Sequence, residues 1–231
     1  GVFRDTGEYF YFVGCLPFFD VAFRYLNLSP LETARSVLML LNKMGIEPVI
    51  SDNERCCGHD ALWCGDQETF RKLARCNLEV IKASGAKTVL FGCPEGYVTF
   101  KKYYPKHLGA LPFEVLHMTE FLARELPNAG VSFQTSSAEV ITYHDPCHAV
   151  RGQGIKSESR EILKSLPNVE FREMAEADWC CGGAGSYALT HYDLSQKVLD
   201  RKMKNLKNTD ADILVTSCPA CMIQLSWGIR K

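Results

Sequence analysis

The segment AKTVLFGCP at residues 86–94 returns as ADILVTSCP at residues 211–219, and this repetition decides the fold class. Each copy is a run of mainly apolar and β-branched residues that ends in a cysteine followed by a proline. A run of this kind predicts a β-strand, and a proline after it suits the first turn of a helix. We therefore expect two copies of one strand–cysteine–helix unit.

The other cysteines repeat on the same plan. Each half has a single cysteine, an adjacent pair after 32 or 40 intervening residues, and another single cysteine after 35 or 36 more. The members are Cys15, Cys56, Cys57 and Cys93 in the first half and Cys147, Cys180, Cys181 and Cys218 in the second. Because self-similarity at a fixed spacing indicates a duplication, we predict one repeat over residues 1–130 and the other over residues 131–231.

Predicted strands alternate with predicted helices along both halves. The strands lie at residues 9–13, 47–51, 88–92, 139–144, 169–174 and 212–217. The helices lie at residues 29–45, 67–84, 115–126, 159–166 and 194–204, and the loop 127–137 separates the halves. This alternation predicts an α/β fold of two pseudo-repeated Rossmann-like halves with parallel sheets. The single cysteines would then follow the carboxyl ends of strands, where open α/β sheets bind their ligands.

Capping signals mark the starts of two of these helices. Ser29 and Glu32 form a predicted capping box around Pro30, which suits the first helical position. Asp193, with Gln196 three residues later, predicts the start of the helix at residue 194.

Composition excludes several classes of protein. The formal net charge of −1 gives no reason to expect a nucleic-acid partner, and the apolar runs are too short to span a bilayer. The eleven cysteines are an odd number in a chain too large to need disulfides, and no export signal is seen at the first residues. We therefore expect a reducing, cytoplasmic location, or the cytoplasmic face of a membrane reached through partners. Because the sequence begins at Gly1, we also expect a piece of a longer polypeptide.

Clustered thiols in a reducing compartment indicate metal or redox chemistry. Thiolates select zinc, copper(I) or iron–sulfur clusters. A structural zinc takes four ligands, usually from two short knuckles, whereas only Cys218 and Cys221 have knuckle spacing here. An iron–sulfur cluster can be reached from separate loops, and Gly182 and Gly183 would let backbone N–H groups approach its sulfurs. A structural zinc protein is the third alternative, after the two redox functions described below.

The doubled pattern of a cysteine, a Cys-Cys-Gly segment and a further cysteine resembles the cysteine-rich CCG domain found in the B and D subunits of heterodisulfide reductase. The same family includes the iron–sulfur subunits of glycolate and lactate dehydrogenases. The resemblance implies a noncubane [4Fe-4S] cluster in the second repeat, as in enzymes of anaerobic metabolism that cleave a disulfide there. The implied ligands are Cys147, Cys180, Cys181, Cys218 and Cys221.

The first repeat departs from the family pattern, because Gly96 stands where the fifth cysteine belongs. Its four cysteines could hold an ordinary [4Fe-4S] cluster, a zinc ion or nothing, and Cys64 is near enough in sequence to replace the missing ligand. In the second repeat His144, Asp145 and His148 surround Cys147. They are candidate catalytic residues that could donate protons during disulfide cleavage, or they could brace the loop.

The family resemblance implies an oxidoreductase subunit that reduces or forms a disulfide. Its electrons would come from a ferredoxin-like iron–sulfur domain or subunit, with a flavoprotein or a membrane quinone or cytochrome subunit as further partners. The alternative is a non-catalytic electron conduit that serves a flavin 2-hydroxy-acid dehydrogenase or a quinone-linked complex. The full Cys218-x-x-Cys221 segment favours the disulfide reading, whereas the lost cysteine of the first repeat favours the conduit.

Overall fold

Two three-stranded parallel sheets carry the structure, one in each half of the chain. The computed structural model describes residues 1–134, 137–183, 185 and 187–231. Contacts divide the chain into two units, Gly1–Val131 and Ser132–Lys231. The sequence prediction of an α/β fold with parallel sheets is thereby confirmed. Thr135 and Ser136 of the loop at 127–137, and Ala184 and Ser186 of the glycine-rich segment, lie outside the described residues.

The first unit orders its strands β1-β2-β3, and all three strands are parallel. The strands are β1 (Tyr9–Phe12), β2 (Thr88–Phe91) and β3 (Glu114–His117). The helices are α1 (Leu16–Ala22), α2 (Pro30–Lys43), α3 (His59–Trp63), α4 (Gln67–Ser84), α5 (Pro94–Val98), α6 (Tyr104–Leu108) and α7 (Met118–Glu125). Short 3-10 turns lie at Arg24–Leu26 and Leu126–Asn128, and a π-helical turn lies at Thr99–Tyr103. The central strand β2 is buried along its whole length, as expected of a parallel sheet covered by helices.

The second unit orders its strands β5-β4-β6 and is also entirely parallel. The strands are β4 (Glu139–His144), β5 (Val169–Phe171) and β6 (Ile213–Thr216). The helices are α8 (Cys147–Gln153), α9 (Glu158–Lys164), α10 (Tyr187–Thr190), α11 (Tyr192–Lys207) and α12 (Pro219–Arg230). Since β4 and β6 pair as β1 and β2 do, the cysteines that follow these strands lie at corresponding edges of the two sheets.

The strand predicted at residues 47–51 is wrong. Val49 forms only isolated parallel bridges, to Arg4 and Phe10, because Pro48 has no N–H group to extend a ladder. Val49 still exchanges backbone hydrogen bonds with Tyr9 and Tyr11, so it lies beside β1 as β5 lies beside β4. The strand predicted at 169–174 is also shorter than expected, since β5 ends at Phe171.

Helix boundaries agree with the sequence where a capping signal acts. Helix α4 spans the predicted residues, with the Asp66 carboxylate accepting from Thr69 N–H and Gly85 in the left-handed region after the last turn. The capping box at Ser29 is wrong, because its side chain makes no capping hydrogen bond. Helix α11 begins at Tyr192, so Asp193 lies inside its first turn instead of capping it.

The helix predicted at residues 115–126 is wrong in its first part. Residues up to His117 form β3, which pairs with β2, and α7 begins only at Met118. Helix α12 starts at Pro219 as predicted, with Cys218 at its N-cap position. Across the described residues, the helices are all too short or too polar to cross a membrane.

Candidate metal centres

The five cysteines of the second unit come from three separate segments. Cys147 begins α8 just after β4, Cys218 caps α12 just after β6, and Cys221 lies in the first turn of α12. Cys180 and Cys181 lie in the loop that precedes α10. Cys181, Cys218 and Cys221 are buried and pack with Leu199 and Leu225. Parallel strands that end at one edge of the sheet thus bring distant thiols into one apolar setting.

Short sulfur contacts join this set. The Sγ atoms of Cys181 and Cys221 are 3.4 Å apart. Hydrogen bonds from the Cys147 and Cys181 thiols lower the pKa of Cys180 to about 2. The Cys180 thiolate in return raises the pKa of Cys147, and Cys181 raises that of Cys221. Thiols that share protons in this way offer a metal a set of thiolates as soon as those protons leave.

Gly182 has a backbone conformation and a close contact that favour glycine. Its φ of +91° lies in the left-handed region, and a Cβ atom there would stand 2.6 Å from the carbonyl oxygen of Ser195 on α11. Its N–H group donates to Cys180 Sγ at 3.3 Å. A Cβ atom on Gly183 would have ordinary contacts, the nearest being Cys181 Sγ at 3.5 Å. The glycines therefore permit close approach of backbone N–H groups to sulfur.

His144, Asp145 and His148 differ in the groups that they contact. The His144 ring is 1% exposed, and the Nδ1 or Nε2 atom that it could offer a metal lies within 4.8 Å of Cys181 Sγ and Cys221 Sγ. Burial, together with the charge of Lys202, lowers the pKa of His144 to about 3, so its imidazole is neutral. The Nδ1 atom of His148 is 3.5 Å from Cys147 Sγ.

Asp145 is held by an arginine that the sequence did not single out. Both carboxylate oxygens of Asp145 accept from the Arg160 guanidinium, at 2.9 and 2.8 Å. Arg160 also binds Glu173 with 2.6 and 2.7 Å contacts, and these two carboxylates raise the pKa of Arg160. A bidentate guanidinium fixes a carboxylate geometrically, and Asp145 itself is 2% exposed. No sequence signal marked Arg160, because it lies 15 positions from Asp145 on another element.

Sequence patterns did not mark Lys202 on α11 either. Its side chain is fully buried, and its ammonium group donates to the carbonyl oxygens of Glu176 and Ala177 at 2.6 and 3.1 Å. Burial lowers the pKa of Lys202. The corresponding residue of the first unit, Asn77, lies 16 positions before Cys93 as Lys202 lies before Cys218. This shared position in the repeat could have pointed to Lys202, because Asn77 likewise donates to a carbonyl oxygen of the paired-cysteine loop, that of Cys56.

The four cysteines of the first unit also gather, but less deeply. Cys15 Sγ lies 3.9 Å from Cys56 Sγ, and Cys57 is buried whereas Cys56 is exposed. Hydrogen bonds from Cys15 and Cys57 lower the pKa of Cys56 to about 2, while the Cys56 thiolate and the Cys93 charge contribute to raising that of Cys57. Gly58 repeats the role of Gly182, with a φ of +84° and an N–H group 3.5 Å from Cys56 Sγ.

Aromatic rings occupy the side of the first site where the fifth cysteine is missing. A Cβ atom on Gly96 would stand 3.2 Å from Phe91 Cδ1 and 3.9 Å from Cys57 Cβ. Phe12, Phe91 and Phe100 pack together there with ring centroids 4.8–5.1 Å apart. Cys64, the substitute ligand considered from the sequence, is exposed at the end of α3.

The second set fits an iron–sulfur cluster better than it fits one zinc ion. Five soft sulfur donors converge there, one more than tetrahedral zinc accepts. Two glycines open the backbone toward them, and buried polar atoms of His144 lack a hydrogen-bond partner among the described residues. The eleven cysteines form no disulfide with one another, so no disulfide competes for these donors.

The comparisons with known proteins agree with this geometry. The family model of the CCG cysteine-rich domain matches residues 9–101 and again residues 141–226. The D subunit of dihydromethanophenazine:CoB--CoM heterodisulfide reductase from Methanosarcina mazei is 36% identical over 233 residues, which cover 97% of this chain and 55% of that protein. The "Probable glycolate oxidase iron-sulfur subunit" of Bacillus subtilis is 31% identical, with coverage of 96% and 50%.

The chain thus spans about half the length of these two curated relatives, both named as subunits of redox enzymes. Among solved structures, Picrophilus torridus aspartate racemase superposes with a TM-score of 0.41 at 11% identity, covering 95% of this chain and 84% of that one. That likeness is too weak to carry an argument. The two family matches cover well over half of the chain, and the protein belongs to the CCG cysteine-rich domain family.

Proposed function

We propose that the chain is an iron–sulfur redox subunit whose second unit binds a [4Fe-4S] cluster of the noncubane type. The observation that carries the proposal is the convergence of five thiols, with Cys181 and Cys221 in sulfur contact and three of the five buried. The ligands would be Cys147, Cys180, Cys181, Cys218 and Cys221. In the first unit, Cys15, Cys56, Cys57 and Cys93 would hold a second [4Fe-4S] cluster or a zinc ion.

We further propose that the second site acts on a disulfide or its thiols. Reduction of a disulfide consumes two electrons and two protons, and it releases two thiols. The cluster would supply electrons at a thiolate-rich site, and these would arrive from a ferredoxin-like iron–sulfur domain or subunit, or from a flavoprotein or membrane quinone or cytochrome partner. Similarity to a heterodisulfide reductase subunit supports this reaction class, and the complete cysteine set supports this unit as its location.

The residues around Cys147 divide the remaining tasks. We assign His148 as a proton donor or acceptor, because its imidazole reaches the Cys147 thiol at 3.5 Å. Asp145 is engaged by Arg160 through two hydrogen bonds, so we assign it to holding the loop that carries Cys147. His144 is buried beside Cys181 and Cys221, so we assign proton exchange with solvent to His148 and not to His144.

A second candidate function is a non-catalytic electron conduit that serves a flavin 2-hydroxy-acid dehydrogenase or a quinone-linked complex. The replacement of a fifth cysteine by Gly96, together with the similarity to a glycolate oxidase subunit, favours this reading. The two functions differ in one respect that can be measured, namely whether a thiol binds at the second cluster.

The test is an electron paramagnetic resonance (EPR) spectrum of anaerobically purified protein, oxidised with and without a small thiol. The disulfide proposal expects a signal that changes with thiol in the wild-type protein and is lost in Cys181→Ser. The matched variant Cys57→Ser, which changes the corresponding cysteine of the first unit, should keep the thiol response. A signal that ignores thiols would support the conduit and overturn the disulfide reaction.

A further inference from the structure

Buried polar atoms without a partner lie at the carboxyl ends of β4 and β6. Among the described residues, neither ring nitrogen of His144 nor the hydroxyl of Thr216 has a hydrogen-bond partner. His144 and Thr216 are register partners on the parallel ladder, so their side chains share one face of the sheet. Buried groups of this kind are almost always satisfied in folded proteins, and an exception requires an explanation such as a water, an ion or a cofactor.

The neighbouring groups that the structure describes do not supply the missing partner. The Ala177 carbonyl oxygen, which is near enough to raise the pKa of His144, is outside hydrogen-bond geometry with its ring. That oxygen already accepts from the Asp145 N–H group at 3.0 Å and from Lys202 Nζ at 3.1 Å. The sulfur atoms of Cys181 and Cys221 lie within 4.8 Å of the His144 ring atom that could bind a metal. The unpartnered imidazole therefore lies beside thiols that would hold a cluster.

The first unit has aromatic rings at the two positions that correspond to His144 and Thr216. Phe12 lies three positions before Cys15 as His144 lies before Cys147, and Phe91 lies two positions before Cys93 as Thr216 lies before Cys218. Phe12 and Phe91 are register partners too, and their rings pack 5.1 Å apart. At the same two positions, one site thus has a dry aromatic pair and the other has an imidazole and a hydroxyl.

We propose that His144 and Thr216 donate hydrogen bonds to sulfur atoms of the cluster held by the second cysteine set, and so make that cluster easier to reduce. The proposal rests on cluster binding by the second unit and not on the disulfide reaction. A neutral imidazole has one N–H group to give, and a threonine has one O–H group. Such bonds strengthen as the sulfur gains negative charge, so they stabilise the reduced state. Both are positioning residues that tune the cluster.

The experiment measures reduction potentials by EPR-monitored titration of the anaerobic chain, with iron content measured in parallel. His144→Phe and Thr216→Val should each lower the potential with iron retained. A lost hydrogen bond to a charged acceptor changes the reduction equilibrium about tenfold, which for one electron is about 59 mV. The matched control is Thr142→Val, which removes a buried, unpartnered hydroxyl two residues earlier on the same strand and should leave the potential unchanged.

Electron–nuclear double resonance in D₂O gives a second reading. Wild-type protein should show an exchangeable proton coupled to the cluster, and His144→Phe should lose it. Unchanged potentials in both variants, or a ¹⁵N coupling large enough for direct iron ligation by His144, would overturn the proposal. Since Thr216→Val is nearly isosteric, its potential decides the matter if His144→Phe does not fold. Shifted potentials with a thiol-insensitive signal would support this inference while the disulfide reaction fails.

Discussion

Gly182→Ala should destabilise the second unit far more than the same change one residue later. An alanine at a φ of +91° would be strained by about 1–2 kcal/mol. Its Cβ atom would stand 2.6 Å from the backbone oxygen of Ser195, so the first turn of α11 must move, at a further cost of about 1–3 kcal/mol. The free energy of unfolding should therefore fall by about 3 kcal/mol. Gly183→Ala meets its nearest atoms at 3.5 Å, in ordinary contact, and should cost less than about 1 kcal/mol.

Urea unfolding of the metal-free chain measures this difference. Of the three tryptophans, Trp179 and Trp227 belong to the second unit, so a Trp63→Phe background makes fluorescence report that unit alone. With a slope of about 2 kcal/mol per M urea, Gly182→Ala should lower the midpoint by about 1.5 M. Equal midpoints for Gly182→Ala and Gly183→Ala would refute the reasoning, because both the backbone strain and the Ser195 contact would then be wrong.

Three further changes test other parts of the structure. Arg160→Met leaves the buried Asp145 carboxylate unpaired and should cost about 3–5 kcal/mol of unfolding free energy, against less than about 1 kcal/mol for Arg35→Met at an exposed pair, both by urea titration. Lys202→Met removes the charged donor of the Glu176 and Ala177 carbonyl oxygens, which keep only the N–H groups of Trp179 and Asp145, so it should cost about 2–3 kcal/mol and lower iron retention by the second unit. The exposed Lys204→Met is its control, and equal iron contents would count against the role of Lys202. Gly96→Ala places a methyl 3.2 Å from the buried Phe91 ring and should destabilise the first unit by about 1–2 kcal/mol, measured as a lower thermal midpoint. Phe91→Leu should relieve this destabilisation in the double variant.

Much of the fold was predictable because local signals and the global pattern agree. Strands β1, β2, β4 and β6 are apolar runs that stop just before a cysteine, and α4 begins and ends at a capping aspartate and a glycine. Predictions failed where tertiary pairing decides. The segment at residue 115 is an apolar run too short to distinguish strand from helix by periodicity, and its pairing with β2 makes it β3.

Sequence patterns predicted which cysteines would gather in each unit, but not which residues support them. Cysteine spacing marks the thiols, since few other roles explain an adjacent pair within a duplicated pattern. Arg160 and Lys202 carry no such mark, because a buried cation is recognised only by what surrounds it in three dimensions. The polar pair of His144 and Thr216 becomes visible only through the strand register that places them side by side.

The most direct measurement is iron, acid-labile sulfide and zinc per chain in anaerobically purified protein, compared among wild type, Cys221→Ser and Cys57→Ser. We expect about four irons with matching sulfide in the second unit, lost in Cys221→Ser and retained in Cys57→Ser. Any further iron that Cys57→Ser removes would belong to the first unit. Zinc without sulfide, or an iron content that Cys221→Ser leaves unchanged, would contradict the central claim that the five thiols of the second unit hold an iron–sulfur cluster.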